Sequence, residues 1–206
     1  VKLNSADFQK GGFAFEESLQ VAQWLQEASI DLIEISGGTY EQPKLLGLAG
    51  MEEEEKQKVA QSTLMREAYF VDFAVAMREK VSVPLMVTGG FRQRAAMEQA
   101  IESGSADVIG LGRPMCVMTD APNQLLNGLD ELPRYENSLS LFPSWLAWLG
   151  NLNILKVVAG FTMQYWFYGQ IDSIGRSGVA DPQLTVFQAT KQTIAAEKKL
   201  IKGGKI

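Results

Sequence analysis

The residues best suited to chemistry lie in Val83–Pro114, VPLMVTGGFRQRAAMEQAIESGSADVIGLGRP. Gly89-Gly90 and Gly112-Arg113 each follow a short apolar run, Leu85-Met86-Val87 and Val108-Ile109. A glycine pair has no Cβ to block approach, so its backbone N–H groups can close on an anion. Between the runs, Met97, Ala100, Ile101 and Gly104 recur at helical spacing. The order is therefore strand, glycine loop, helix, strand, glycine loop. Neighbouring parallel strands need such a crossover, and both loops then leave one carboxyl edge. The helix, expected to start near Arg92, points its positive dipole end at the same place. Arg113 adds a permanent cation whose fork suits two phosphate oxygens. The chemistry implied is phosphate binding between two adjacent strand ends. Taken alone, Gly89-Gly90 would serve equally as a tight turn, and Arg113 as a surface ion-pair partner.

Composition narrows the remaining chemistry. The 206 residues carry a formal net charge of −5, which argues against nucleic acid or an anionic membrane as the main partner. There is no histidine, so imidazole acid–base catalysis and His-ligated metal sites are excluded, and no metal site is expected. The one cysteine, Cys116, cannot form an intrachain disulfide and fits a reducing, cytoplasmic setting. With only Arg113 near it, Cys116 reads as an apolar filler and not a nucleophile.

The elements that must position the loops follow in order. Val1–Asn4 reads as a strand end, cut short, and the numbering is expected to begin inside a longer chain. A helix is expected over Glu16–Ala28 with Val21, Trp24, Leu25 and Ala28 on one face. Asp31–Ser36 is the next strand and closes on Gly37-Gly38. After the polar connection Thr39–Gln61, with its Glu52–Glu55 run, a helix over Arg66–Lys80 buries Phe70, Phe73, Ala74 and Met77. Four strand ends, near Asn4, Ser36, Thr88 and Leu111, with three intervening helices, predict a parallel α/β architecture.

Beyond Pro114 the chain changes character. Asp120–Gly128 can form a helix, and Glu131-Leu132-Pro133 reads as a break. From Leu139 the chain is rich in Trp and Phe, and a last helix covers Pro182–Lys202. Pro143, Gly150 and scattered Ser and Asn interrupt the uncharged stretch Asn137–Leu155, so a membrane span is not expected there.

The segments KLNSADFQKGGF, IEISGGTYE, REAYFVDFA, VPLMVTGGFR and ADVIGLGRP occur in this order at suitable spacings. Together they resemble the old yellow enzyme family of FMN-dependent NADH:flavin oxidoreductases, over about Val1–Gly128. The resemblance implies a (β/α)8 TIM barrel, of which this chain holds about strands five to eight, a half barrel, over residues 1–132. Residues 133–206 are expected to form an aromatic-rich helical C-terminal extension. It also implies that Gly89, Gly90, Gly112 and Arg113 contact the FMN phosphate, and that Lys2 lies beside flavin N1 and the C2 carbonyl. Many relatives place arginine there; lysine keeps the charge but lacks the planar fork. The family's catalytic pair belongs to the end of the fourth strand, so no catalytic residue is assigned in this chain.

The resulting expectation is an FMN-dependent oxidoreductase that moves hydride from NAD(P)H to an electron-poor small molecule. This chain would supply the phosphate site and be inactive alone. One alternative is a non-catalytic or assembly-dependent half barrel, completed by a second copy or by a missing N-terminal half. The other is a different phosphate-binding (β/α)8 enzyme, such as one handling a sugar phosphate.

Overall fold

The computed structural model describes residues 1–6, 11–36, 71–141 and 153–203, with only the backbone described over 153–161. Four parallel strands lie in the order β1 (Lys2–Asn4), β2 (Ile33–Ser36), β3 (Leu85–Thr88) and β4 (Val108–Gly110). Between them run α1 (Phe15–Glu27), α2 (residues 71–78) and α3 (Arg94–Glu102). Further along come α4 (Ala121–Leu126), α5 (Asn153–Ser177) and α6 (Val186–Lys202). This is half of a (β/α)8 barrel with a C-terminal helical extension. The described residues fall into two compact units: 1–36, 71–112 and 124–132 in the first, 113–123 and 133–203 in the second.

The sheet register sorts side chains into two faces, because successive residues of a strand point opposite ways. Leu3, Ile35, Val87 and Ile109 are aligned across the four strands. With Ile33 and Leu85 they make the apolar face, and Ile33, Ile35, Leu85 and Val87 are fully buried. Burying each such side chain favours the fold by about 1.5–3 kcal/mol. The other face carries two rows, Lys2, Glu34, Met86, Val108 and then Asn4, Ser36, Thr88, Gly110. That second row marks the carboxyl edge. The strand ends stand where the sequence puts them, the last one residue earlier, at Gly110 in place of Leu111.

The helices follow expectation in part. Phe73, Ala74 and Met77 are buried on α2, while Phe70 lies outside the described residues. The buried side of α1 is Ser18 and Ala22, not the predicted stripe, and Trp24 is 59% exposed. The reason is close approach: Ser18 Oγ donates to the Asn4 carbonyl at 2.8 Å, so small residues face the sheet. Phe15 adds an edge-on contact with Phe73 at 4.5 Å between ring centres. On α3, Met97 and Ala100 are buried as predicted, but Ile101 is exposed. The Gly37-Gly38 turn and the Glu52–Glu55 run lie outside the described residues.

The second unit has its own core, in which Trp166, Phe167, Val186 and Ala189 gather Cys116, Val117, Tyr135, Leu139, Leu141 and Leu184 around them. A Cβ on Gly169 would lie 2.6 Å from Leu184 Cδ2, so glycine is what lets α5 accept that neighbour. Buried Gln170 donates to the Asp181 carbonyl at 2.8 Å and accepts from the Asp181 N–H at 2.7 Å, which fixes the turn between α5 and α6. Among the described residues, no helix is long and apolar enough to cross a membrane.

At the amino edge of the sheet, Asp107 ties α2 to β3. Its carboxylate accepts from the Leu85 N–H at 2.7 Å and pairs with the Arg78 guanidinium. Arg78 also donates to the carbonyls of Val83 at 3.2 Å and Gly104 at 3.3 Å. The Leu85 N–H, working with Arg78 against partial desolvation, holds the Asp107 carboxyl below its ordinary pKa. A lowered native pKa gives stability that is present above the unfolded value, about 3.9, and is lost as pH falls through the native one. With its side chain 48% exposed, the network is worth little more than a screened pair. Urea unfolding should find Asp107→Asn less stable by about 1 kcal/mol at pH 7, with the gap closing below about pH 4. Equal stability at pH 7 would contradict this.

Candidate functional site

Parallel pairing of β3 with β4 sets Thr88 opposite Gly110. The residues that follow, Gly89-Gly90 and Leu111-Gly112, therefore leave adjacent strands at one carboxyl edge. Gly90 takes φ +74°, a left-handed value that glycine adopts without strain, and the Phe91 N–H closes the turn on the Gly89 carbonyl at 2.9 Å. This is a tight turn, and it leaves Gly89 and Gly90 partly exposed at the rim.

The two glycines of the last strand end differ in cause. A Cβ on Gly110 would collide with Thr88 Oγ1 and stand 2.8 Å from Met86 Cε, so packing alone demands glycine. A Cβ on Gly112 would meet nothing within 4 Å among the described residues. Gly112 is exposed and has no left-handed φ, so neither backbone strain nor crowding by the described residues requires glycine.

Arg113 is the next residue in the chain and opens the short 3₁₀ turn Arg113–Cys116. Its Nη1 is 3.1 Å from Glu136 Oε1, with the arginine side chain 45% exposed and the glutamate 22%. Cys116 packs against the aromatic core, and burial pushes its thiol pKa up, against the pull of Arg113. That is the environment of a filler, as its sequence context suggests, and not of a reactive thiolate.

The α3 dipole is committed differently from expectation. The helix starts at Arg94, two residues beyond Arg92. Arg92 is buried and donates to the Phe91 carbonyl at 2.8 Å. The first helical N–H, on Arg94, donates to the Asp130 carbonyl at 2.8 Å, and the Arg94 guanidinium pairs with the Asp130 carboxylate at 2.9 Å. The Leu132 N–H donates to the Arg92 carbonyl at 2.8 Å, and Gln93 bridges to Glu131. The chain itself thus supplies a carbonyl and an acid to this helix end.

Lys2 lies on the polar face of the sheet, directly opposite Glu34, and its Nζ is 2.8 Å from Glu34 Oε1. Desolvation alone would raise the Glu34 carboxyl, but Lys2 and the Thr88 hydroxyl outweigh it and hold the pKa below its ordinary value. Lys2 is therefore a cation with an ionised partner beside it. Glu34 and Glu136 are the two residues missed by reading the sequence. Each lies far along the chain from the cation it pairs with, and only the strand register could have pointed to Glu34.

No protein-family profile matches the chain. Curated relatives do. An NADH-dependent flavin oxidoreductase, iliE of Neonectria sp. (strain DH2), is 40% identical over 118 residues, which is 57% of this chain and 15% of that protein. The NADH-dependent flavin oxidoreductase iccE of Talaromyces variabilis is 32% identical over 166 residues, 80% of this chain and 39% of that protein. An NADH oxidase of Thermoanaerobacter brockii is 25% identical over 128 residues, covering 62% of this chain and 18% of the relative. A solved 2-naphthoyl-CoA reductase complex is similar with TM-score 0.49 and 24% identity over 62% of this chain and 17% of that one. The chain is thus similar to flavin oxidoreductases and spans less than two fifths of the length of these curated relatives.

The two rim glycines should separate in a stability assay. Gly110→Ala should lower unfolding stability by about 1–3 kcal/mol through overpacking against Thr88. Gly112→Ala should stay within about 0.5 kcal/mol of the parent chain. Thermal or urea unfolding of both variants checks this, and a large loss for Gly112→Ala would show that packing, not ligand room, selects glycine there.

Proposed function

We propose that the chain supplies the FMN-phosphate site of an FMN-dependent NAD(P)H oxidoreductase acting on an electron-poor small molecule. The observation that carries this reading is the pair of glycine-bearing strand ends at one carboxyl edge, where a Cβ on Gly112 would meet no described residue within 4 Å. The phosphate sites of (β/α)8 barrels commonly lie after their last two strands, which supports reading β3 and β4 as the seventh and eighth. Residues 1–132 would be the half barrel and 133–206 the extension. The similarity to NADH-dependent flavin oxidoreductases supports a flavin at this site.

The residues fit the group. Backbone N–H groups of Gly89, Gly90 and Gly112 can donate to phosphate oxygens, and Arg113 adds a charged fork. Lys2 would face the pyrimidine edge of the flavin, where a cation stabilises negative charge. Glu34 offsets part of that charge, so Lys2 tunes the flavin less than an unpaired cation would. Bound FMN would supply the hydride and electron transfer; these residues hold it and set its electrostatics.

A second reading is favoured by one observation. β1 and β4 are the edges of an open four-stranded sheet among the described residues. Open edges invite pairing, so a second copy or an N-terminal half would complete the barrel. Both readings share the phosphate site and differ in whether chemistry follows. NADH oxidation by the 206-residue chain with added FMN should be negligible.

Binding tests the site without needing turnover. Quenching of flavin fluorescence should give tighter binding of FMN than of riboflavin, which lacks the phosphate. Arg113→Ala should weaken FMN binding by about 1.5–3 kcal/mol, toward the low end for a partly exposed guanidinium, and leave riboflavin unchanged. Equal affinity for the two flavins would overturn the proposal.

A further inference from the structure

We infer that Glu136 is a positioning residue for the phosphate cation: it fixes the Arg113 guanidinium so that the rest of its fork can meet an oxyanion. The inference rests on the reading that Arg113 serves a phosphate, and adds a residue that this reading does not contain.

The geometry is that of a stand and an arm. Glu136 sits in the 3₁₀ turn Tyr135–Asn137. The Asn137 N–H donates to the Arg134 carbonyl at 3.0 Å. The Ser138 N–H and hydroxyl both donate to the Tyr135 carbonyl, at 3.1 and 2.9 Å. The Tyr135 ring lies 6.2 Å from the buried Trp166 ring, which roots the turn in the core of the second unit. Glu136 is the less exposed partner of the pair, 22% against 45% for Arg113, so the carboxylate is the fixed end and the guanidinium the free-reaching one.

Glu136 engages Nη1 of Arg113. A guanidinium has five N–H donors in one rigid plane, so holding one nitrogen fixes the direction of the others. An arginine held in this way loses less rotamer freedom when a phosphate arrives. The carboxylate also repels a phosphate, so the two effects oppose each other. Solvent around the half-exposed guanidinium screens the repulsion, so orientation prevails.

The test uses the 206-residue chain, with FMN and riboflavin as probes and flavin fluorescence as the readout. Glu136→Ala should weaken FMN binding about tenfold and leave riboflavin within about twofold. Glu136→Gln keeps an acceptor at the same reach and should recover most of the loss. Equal weakening of both flavins would make Glu136 merely structural, and unchanged or tighter FMN binding would mean that repulsion prevails; either overturns the inference. Arg113→Ala separates the two levels. If it abolishes the preference for FMN while Glu136→Ala leaves FMN binding within about twofold of the parent chain, the positioning role alone falls. If it leaves the preference intact, the phosphate reading falls with it.

Discussion

Everything in the first unit depends on parallel registry. Because β1 to β4 run the same way and align Asn4, Ser36, Thr88 and Gly110, every strand delivers its following loop to the same edge. The same registry sends Leu3, Ile35, Val87 and Ile109 to the apolar face and leaves Lys2, Glu34 and Thr88 on the polar one. Hydrophobic burial therefore does the folding on one side, while the other side and its rim are left for polar work. A one-residue slip would exchange the two faces, which is why the buried isoleucines, leucine and valine also protect the placement of the glycine turns.

The rim also shows how a fold can require glycine for different reasons. Gly110 gives way to Thr88, Gly90 supplies a left-handed turn, and Gly112 answers to neither demand. Only at the last do the described residues leave the choice of glycine unexplained by packing or backbone. The cations are likewise not bare. Lys2 has Glu34 and Arg113 has Glu136, so each positive charge at the proposed cofactor site has a carboxylate paired with it.

Much of this was legible in the sequence, because strand ends are local. Short strand-like runs ending near Asn4, Ser36, Thr88 and Leu111 marked the four ends, and the α2 stripe of Phe73, Ala74 and Met77 was read from its spacing. The α1 face was not, because apolar counting favours Trp24 and Val21 over the small Ser18 and Ala22 that close approach selects. The start of α3 was shifted by Asp130, and the charge pairs by Glu34 and Glu136; all three are contacts between segments distant in sequence. Periodicity carries no information about those.

The central claim is that the Gly89-Gly90 and Gly112 backbone N–H groups receive the phosphate of FMN. Amide ¹H–¹⁵N spectra of the isotope-labelled chain, titrated with FMN and then with riboflavin, test it most directly. The account expects the Gly89, Gly90 and Gly112 signals to move with FMN in a saturable way and to stay nearly still with riboflavin. Saturable FMN binding that moves amides elsewhere and leaves these three in place would contradict it.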